Sequence, residues 1–319
     1  MASLKWKLNR LRAMSTAEIA FRGWRWMSQQ YERREILKGT RPRCETPVRP
    51  RHALFVRRDD WLELWQRHFA LDGPRIASLA DGWIDFFGNP QLFVGNPVDW
   101  RRDPKTGVAS PMSFGKSINY RDDSIVGEVK YLWELGRHQH LVPLAVAYAV
   151  GGDRSILKTI AKQIEGWISE NPYGTGIHWC SALEVSLRLI SWAMIHSIIA
   201  LRDGDEGLFG VIDDPASLGQ SIYEQTVFVR RFLSRHSSAN NHLIGELTGL
   251  WIAGQVFDLG PHSDLWLNGI QQELENEAVK QVWEDGVSKE QAIYYHLWVI
   301  EYLLLVYLTG ERCRRPFSQ

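Results

Sequence analysis

The stretch SSANNHLIGE, residues 237–246, gathers side chains that can bind an anion. If one of its two serines caps a helix, Asn240, Asn241 and His242 lie in the first turn. Backbone N–H groups at a helix N-terminus lack partners inside the helix, and the helix dipole favours negative charge there. The stretch therefore predicts a carboxylate site, in which the Asn241 amide and the His242 ring can donate hydrogen bonds.

Glu246 follows His242 by four residues, a spacing that places both side chains on one face of a helix. The carboxylate could then orient the imidazole. The structural alternative is that an asparagine caps the helix and that His242 is a core histidine bonded to Glu246. Because two serines precede this polar group, the sequence leaves both interpretations open.

A second polar stretch, DGVSKEQAIYYHLWVIEY at residues 285–302, follows a turn and predicts a helix capped by Ser288. Gln291, Tyr295 and Trp298 recur at helical spacing, so an amide, a phenol and an indole would form one stripe. Such a stripe fits the wall of a cleft, although tyrosines commonly pack with the hydroxyl at the surface. We expect the start of this helix and the start of the helix in the first stretch to face one groove.

A third group lies in HWCSALEVSLRLISW, where Trp179 and Arg188 are candidates to contact a ligand. Glu184 and Arg188 are four residues apart in a very apolar helix, which predicts an ion pair between them. We expect this pair to be structural, although Arg188 could face a substrate carboxylate. His138 and His140 alternate, and no carboxylate follows at the spacing of zinc ligands, so we predict no metal site in the chain.

The elements that position these residues are helices, with almost no strand between them after residue 120. Apolar periodicity interrupted by Gly, Pro and Asp predicts helical hairpins. The predicted helices span residues 123–135, 138–150, 153–169, 180–201, 215–234, 240–256, 265–283 and 287–309. Successive antiparallel helices allow a bundle, a solenoid or a closed (α/α) toroid, and no short sequence repeat supports the solenoid. The long apolar helix 180–201 is expected to be an inner helix, buried on more than one side.

The sequence divides into an N-terminal helical and irregular segment, residues 1–118, and a helical domain, residues 119–319. Ser15 begins a capping-box pattern that predicts a helix over 16–36. The basic and aromatic residues of this helix would suit a membrane surface or a nucleic acid, but we favour a helix packed against the main body. Residues 80–118 are rich in Gly, Pro and Asn, which predicts short strands and turns.

Composition restricts the class of protein. The 37 basic and 37 acidic residues cancel, which argues against nucleic acid as a partner. Cys44, Cys180 and Cys313 are odd in number and far apart, which favours reduced thiols. The basic N-terminus lacks the apolar core of a signal peptide, and no apolar run approaches the ~18 residues of a membrane span. We therefore expect no transmembrane segment and a cytoplasmic location by default, with a periplasmic one left open.

Taken together, the runs NNHLIGE, DGVSKEQAIYYH and WCSALEVSLRLISW resemble the heparinase II/III-like polysaccharide lyases, a family that includes alginate and heparan lyases. The likeness extends from FFGNP, residues 86–90, to about residue 309. It implies an all-α fold, an incomplete (α/α) toroid of successive helical hairpins with an N-terminal helical and irregular extension. It also implies that the cleft breaks a uronic-acid-containing, hence acidic, polysaccharide by β-elimination.

In the family pattern, Asn241 and His242 would hold the C6 carboxylate of the sugar, so that the C5 proton becomes acidic. Tyr295 is the tyrosine directly before a histidine, and it would act as the base, the acid or both. These three are the candidate catalytic residues. The candidates for substrate contact are Asn240, Glu246, Trp179, Arg188, Gln291 and His296.

Members of this family continue into a β-sandwich that supplies another histidine and often a metal site, whereas this sequence shows no strand-forming run after residue 309. The resemblance thus implies an incomplete site and no cofactor within this chain. The run LNRLRAMSTAEIAFR is similar to members found beside bacterial exopolysaccharide genes. The alternative from another class is therefore a non-catalytic carbohydrate-binding protein of exopolysaccharide synthesis or modification.

Overall fold

A computed structural model describes residues 14–55, 65, 73–88 and 91–318. Two helices precede the main body: α1 (Thr16–Leu37) and α2 (Gly73–Ala80). The helices of the main body are α3 (Asp123–Val126), α4 (Val129–Gly136), α5 (Leu141–Gly151), α6 (Arg154–Glu170), α7 (Ala182–Asp203), α8 (Pro215–Arg231), α9 (Asn241–Val256), α10 (Ser263–Gln281) and α11 (Ile293–Arg312). Two antiparallel strand pairs accompany them: β1 (Arg49–Pro50) with β4 (Phe257–Asp258), and β2 (Trp83–Ile84) with β3 (Leu92–Phe93).

Local sequence sets where the helices begin and end. Asp153 and Asp214 accept hydrogen bonds from the backbone N–H groups of Ser155 and Ser217, so they cap α6 and α8. Between α5 and α6 the chain turns at Gly152, whose φ of 78° is a left-handed conformation that glycine adopts without a Cβ clash. These short connections make each helix reverse direction relative to the one before it.

Helices α5 and α7 run in the same direction, as contacts at both ends show. Just before α5, His138 accepts a hydrogen bond from the Trp192 indole at 2.8 Å. At the other end of α5, the Tyr148 hydroxyl donates to Asp203 at 2.6 Å. From the first contact to the second, the residue numbers increase along both helices, so α5 and α7 are parallel. Helix α6, which connects them, therefore runs in the opposite direction.

Helix α9 lies against α7, and it approaches closely because two of its contact residues are glycines. A Cβ on Gly245 would lie 2.6 Å from the Leu183 side chain, and one on Gly249 would lie 2.6 Å from the Ser186 Cβ. In these two contacts the residue numbers increase along both helices, so α7 and α9 are parallel. Any larger residue at these two positions would push the helices apart.

Helix α11 continues the parallel set. Glu290, just before α11, hydrogen-bonds Asn241 at the start of α9, and Tyr302 packs within 3.1 Å of the Cβ position of Gly245. Helices α5, α7, α9 and α11 therefore run in one direction, joined by the returning helices α6, α8 and α10. The predicted succession of helical hairpins is confirmed, and the N-termini of α7, α9 and α11 lie at one end of the molecule.

The predicted inner helix 180–201 is confirmed as α7. From Ala182 to Ile199, every residue except Met194 is buried. By length and composition alone, α7 and α11 could each cross a membrane, a property shared by the core helices of soluble proteins. In the apolar windows of these two helices, 94% of α7 is buried but only 28% of α11. The surface of α11 exposes a row of large apolar side chains: Ile293, Leu297, Ile300, Leu304 and Leu308.

Two predicted helices differ from those observed. The one predicted over 123–135 is broken at Gly127, whose φ is 68° and where a Cβ would lie 2.4 Å from the Asp103 carboxylate. The one predicted over 287–309 begins only at Ile293, because the preceding chain is held in turns by the bridge between Val282 and Ser288. The second difference moves one candidate residue, Gln291, off the helix.

Helix α1 lies across the main body as a strap, as the sequence predicts. Ser15 caps it by accepting from the Glu18 N–H, which confirms the predicted cap. Near its C-terminal end, the buried Glu32 accepts a hydrogen bond from the Tyr173 hydroxyl at 2.5 Å and pairs with Arg231. The short strands expected in residues 80–118 are also found, as β2 and β3.

Candidate carboxylate site at the start of α9

The first turn of α9 is built by Asn240, which is the residue that caps the helix. Its side-chain oxygen accepts from the His242 N–H at 3.1 Å. The prediction that Ser237 or Ser238 caps this helix is wrong, because both serines lie in a preceding 3-10 turn. Ser237 instead donates to Glu18 of α1 at 2.6 Å. The Asn240 oxygen is therefore used within the protein.

A carboxylate does occupy the start of α9, and it belongs to the chain itself. The buried Asn241 donates from its backbone N–H to Glu290 at 2.7 Å, and its side-chain nitrogen lies 2.8 and 2.7 Å from the two oxygens of the same carboxylate. This is the donor set that the sequence predicts for an anion. The partner is Glu290, which lies just before α11 and is 49 positions away in the sequence.

His242 lies beside this contact with its side chain at the surface. Burial by neighbouring groups lowers the pKa of His242, whereas the Glu184 and Glu290 carboxylates act in the opposite direction. These two carboxylates come from the first turn of α7 and from the chain just before α11. The imidazole therefore lies where the ends of three helices meet, and it is neutral at neutral pH.

The predicted pairing of Glu246 with His242 is wrong. Glu246 is 1% exposed, and its carboxylate accepts from the backbone N–H of Ser234 at 2.6 Å and from its hydroxyl at 2.8 Å. A buried carboxylate needs buried donors, and the Ser234 loop supplies them. Burial raises the pKa of Glu246 to about 7, although the Ser234 hydrogen bonds act against this shift. Glu246 supports the loop that leads into α9.

Tyr295 lies in the first turn of α11, five residues after Glu290. Tyr295 is 43% exposed and the centre of its ring lies 5.9 Å from that of the Trp298 ring, whereas its neighbour Tyr294 is 74% exposed. The phenol is thus accessible to a ligand at the end of the molecule that carries Asn241. Tyr295 and Trp298 form part of the predicted polar aromatic stripe.

The other candidates of this segment are placed differently. Gln291 has a φ of 55° and precedes α11, so its predicted position on the stripe with Tyr295 is wrong. The His296 ring accepts from the Ser288 N–H at 3.2 Å, which holds the connection against the helix. Ser288 does not cap α11, because Ala292 occupies that position. The sequence missed these turns because Ser288, followed by residues 289–292 (KEQA), is typical of a capped helix start.

Trp179 is predicted to contact substrate, but it lies in the protein interior. It is 1% exposed, its indole donates to the Asn171 carbonyl at 3.1 Å, and its ring packs against Tyr173 and Phe228. Its place in the core follows from its position in the connection between α6 and α7, where large rings fill the space. In this structure Trp179 is a packing residue rather than a wall of the site.

Arg188 is also interior, being 0% exposed. It donates to the Gln225 side chain at 2.8 Å and to the Gly136 carbonyl at 3.0 Å, and its guanidinium stacks 3.9 Å from the centre of the Trp167 ring. The predicted ion pair with Glu184 is wrong. Burial lowers the pKa of Arg188 to about 9. A side chain so enclosed cannot reach a polysaccharide.

Glu184 pairs instead with Arg137, at 2.7 Å, from the turn after α4. Arg137 also contacts Glu134 at 2.6 Å, so one guanidinium lies between two carboxylates. Burial raises the pKa of the neighbouring Tyr302 to about 12, and the Glu184 charge adds to this shift while Arg137 opposes it. Sequence reasoning missed Arg137 because its partner lies 47 positions away in the sequence.

A metal site is not apparent in the part of the chain that the structure describes. Within residues 14–55, 65, 73–88 and 91–318, no group of three or more His, Cys, Asp or Glu side chains could hold a metal ion. Whether the chain uses a cofactor remains a prediction from the sequence.

Parallel helices alternating with returning helices, and a polar end where the N-termini of α7, α9 and α11 meet, define an (α/α) toroid in which Asn241 holds the Glu290 carboxylate. Residues 77–315 match the family model described as Heparinase II/III N-terminus, so the chain belongs to the heparinase II/III family through this N-terminal domain. The resemblance and the all-α toroid expected from the sequence are confirmed.

The chain is similar to curated lyases over part of their length. It is 26% identical over 180 residues to a heparin-sulfate lyase from Bacteroides thetaiotaomicron, covering 54% of this chain and 24% of that protein. It is 26% identical over 209 residues to a heparin-sulfate lyase from Pedobacter heparinus, covering 62% of this chain and 29% of that protein. The chain thus spans less than a third of the length of these two relatives.

Solved structures show the same fold. The crystal structure of a heparan sulfate lyase from Pedobacter heparinus superposes with a TM-score of 0.55 at 20% identity, covering 78% of this chain and 36% of that one. A heparinase III crystal structure gives a TM-score of 0.51 at 20% identity, covering 94% of this chain and 41% of that one. At this identity the likeness concerns the fold alone.

Proposed function

We propose that this chain is the toroid portion of a polysaccharide lyase that cleaves an acidic, uronate-containing polysaccharide by β-elimination. The observation that carries the proposal is the carboxylate held at the start of α9 by both N–H groups of Asn241. A β-eliminating enzyme must neutralise a substrate carboxylate, and this donor set already binds one. Family membership over residues 77–315 and similarity to heparin-sulfate lyases support the same class of reaction.

In the proposed reaction, Asn241 and the neutral His242 hold the C6 carboxylate of the sugar. Their hydrogen bonds stabilise the negative charge that develops when the C5 proton is removed. The C4–O4 bond then breaks, a double bond forms between C4 and C5, and the leaving O4 takes up a proton. Tyr295 is the group we assign to proton transfer, as base, as acid or as both.

Glu290 and the substrate carboxylate compete for the same donors. Two carboxylates that share one amide would repel each other at close range, so both cannot occupy the Asn241 site in ionised form. We therefore assign to Glu290 the role of an internal occupant, which the substrate carboxylate replaces. The chain around residues 288–292 lies in turns rather than in α11, so this replacement leaves the helix intact.

The test is formation of the unsaturated product. The full chain is incubated with heparan sulfate, alginate and other uronate polysaccharides, and ultraviolet absorbance of the new double bond is followed. We expect Tyr295→Phe to remove turnover while substrate binding is retained, and Tyr294→Phe, one residue away and more exposed, to behave as wild type. Full activity of Tyr295→Phe would refute the catalytic assignment. Binding without any unsaturated product from the wild type would favour a non-catalytic carbohydrate-binding protein.

A further inference from the structure

A cavity of about 330 Å³ lies between α1 and the turn that leads into α9. One wall is a single face of α1, and the other is formed by residues 234–238. The volume is at the lower end of the range for small-ligand sites. The residues of the cavity that matter for its chemistry are Arg22, Arg25, Trp26, Ser234, Arg235 and Ser238.

The cavity is basic, because none of the described residues that line it is acidic while three of them are arginines. Arg22 pairs with Glu18 at 2.9 Å, and Arg235 pairs with Glu273 at 2.5 Å. Among the described residues, Arg25 donates to two backbone carbonyls, those of Phe232 and Leu233, which fix the direction of its guanidinium. The Glu246 carboxylate acts on the Arg25 charge without a hydrogen bond to it.

A second cation adds to this field. Lys116 lies close enough to Arg25 that the two charges repel, and burial with this repulsion lowers the pKa of Lys116 to about 8. Its ammonium group donates to the Cys180 carbonyl at 2.9 Å, and among the described residues the Glu246 carboxylate acts on its charge. The two cations Arg25 and Lys116 thus outnumber the one carboxylate, Glu246, that acts on both, so an anion in the cavity would offset their mutual repulsion.

The cavity also adjoins the candidate carboxylate site. Ser238 of its wall precedes Asn241 by three residues, and Ser234 holds Glu246 one turn inside α9. Trp26 lies at the rim with 63% of its surface exposed, so a flat ring is available to stack against a sugar. A polymer with acidic groups along its length would present a neighbouring group here when one of its carboxylates is on Asn241.

We propose that this cavity is a second anion-binding subsite, which takes a sulfate or carboxylate group of a sugar unit next to the one bound at Asn241. The inference rests on the proposed function, since it assumes that an acidic polysaccharide lies across the start of α9. Through this cavity, the arginines of α1 would bind the charged group of the neighbouring sugar unit. The strap helix is thereby part of the binding surface.

The test compares two double variants with the same change in charge. Arg22→Gln/Arg235→Gln removes two rim charges whose side chains are 39% and 41% exposed, so loss of stability is expected to be small. Arg33→Gln/Arg34→Gln is the control, since these two exposed arginines lie on α1 outside the cavity. Thermal unfolding checks that both variants are folded.

Affinity is measured calorimetrically on a Tyr295→Phe background, with a sulfated heparan oligosaccharide and an unsulfated uronate oligosaccharide of equal length. We expect the cavity variant to bind about tenfold more weakly and the control to bind as the parent does. A loss confined to the sulfated ligand identifies a sulfate subsite, and a loss with both ligands identifies a carboxylate subsite. Equal affinities of the cavity variant and the control would overturn the proposal.

This readout is independent of turnover. If the wild type forms no unsaturated product but the cavity variant still loses affinity, the lyase proposal fails and the subsite stands. If the wild type cleaves uronates and the cavity variant binds like the control, the subsite fails and the lyase proposal stands. Trp26→Ala provides a second, uncharged variant, for which we expect weaker binding to both oligosaccharides.

Discussion

Replacing Glu290 by glutamine tests both the stability and the occupancy of the Asn241 site. The change removes a negative charge that receives three contacts of 2.7–2.8 Å at the start of α9. Hydrogen bonds to a charged group contribute roughly 1.5–3 kcal/mol, and a charge at a helix N-terminus about 0.3–1 kcal/mol. We expect a net loss of about 2 kcal/mol in the free energy of unfolding. For a chain of 319 residues this corresponds to a Tm about 3 °C lower.

The same loss should favour a ligand that has to displace Glu290. A contact of about 2 kcal/mol lowers the apparent affinity of a competing ligand by up to ~30-fold, so Glu290→Gln should bind a uronate oligosaccharide up to that much more tightly. Glu284→Gln is the matched control, because Glu284 is an exposed carboxylate in the same connection. Calorimetric unfolding and titration give both quantities. A Tm no lower than that of the control, or weaker ligand binding, would refute the competition argument.

Three further predictions concern buried groups. Burial lowers the pKa of His140 and His196 to about 4, so the unfolded chain binds more protons below pH ~6.5 and stability should fall by about 2 kcal/mol per histidine down to pH ~5. In urea titrations His140→Asn should weaken this dependence, and the exposed His262→Asn should not. Burial raises the pKa of Glu246 to about 7, so the free energy of unfolding of the wild type should fall as pH rises and this carboxyl ionises. Between pH ~4 and ~8, the free energy of unfolding of Glu246→Gln should therefore increase by about 3 kcal/mol relative to that of the wild type. Arg188→Met should cost about 2–4 kcal/mol of stability, by denaturant unfolding, and leave the affinity of the folded protein for a uronate oligosaccharide unchanged.

Helix positions could be predicted because their signals are local. Apolar periodicity and the caps at Asp153 and Asp214 depend on residues within one or two turns, and the observed α6 and α8 start where these caps place them. The sequence favours a serine as the cap of α9 because several residues in a row could serve, and only the turn at 236–238 selects Asn240. When several neighbouring polar residues can each cap a helix, the sequence alone does not decide which of them does.

Partners of charged residues could not be predicted, because they come from distant parts of the chain. Glu184 has Arg188 at helical spacing, yet it binds Arg137, and Arg188 instead fits between Gln225 and an aromatic ring. The start of α9 does hold a carboxylate, since free N–H groups and an amide favour one whatever its source, but binding of a substrate carboxylate there stays a prediction. Its source, Glu290, depends on turns before α11, in a segment whose residues would equally suit the first turn of a helix.

Helix α1 limits how this protein can be shortened for study. A cut at the sequence boundary near residue 118 would leave the Phe232 and Leu233 carbonyls without the Arg25 guanidinium and would strip Tyr173 of its carboxylate acceptor. The loop that supports the start of α9 would then lose one side of its scaffold. A helical fragment prepared without its first forty residues should therefore be judged for ligand binding only after that loop has been shown to keep its shape.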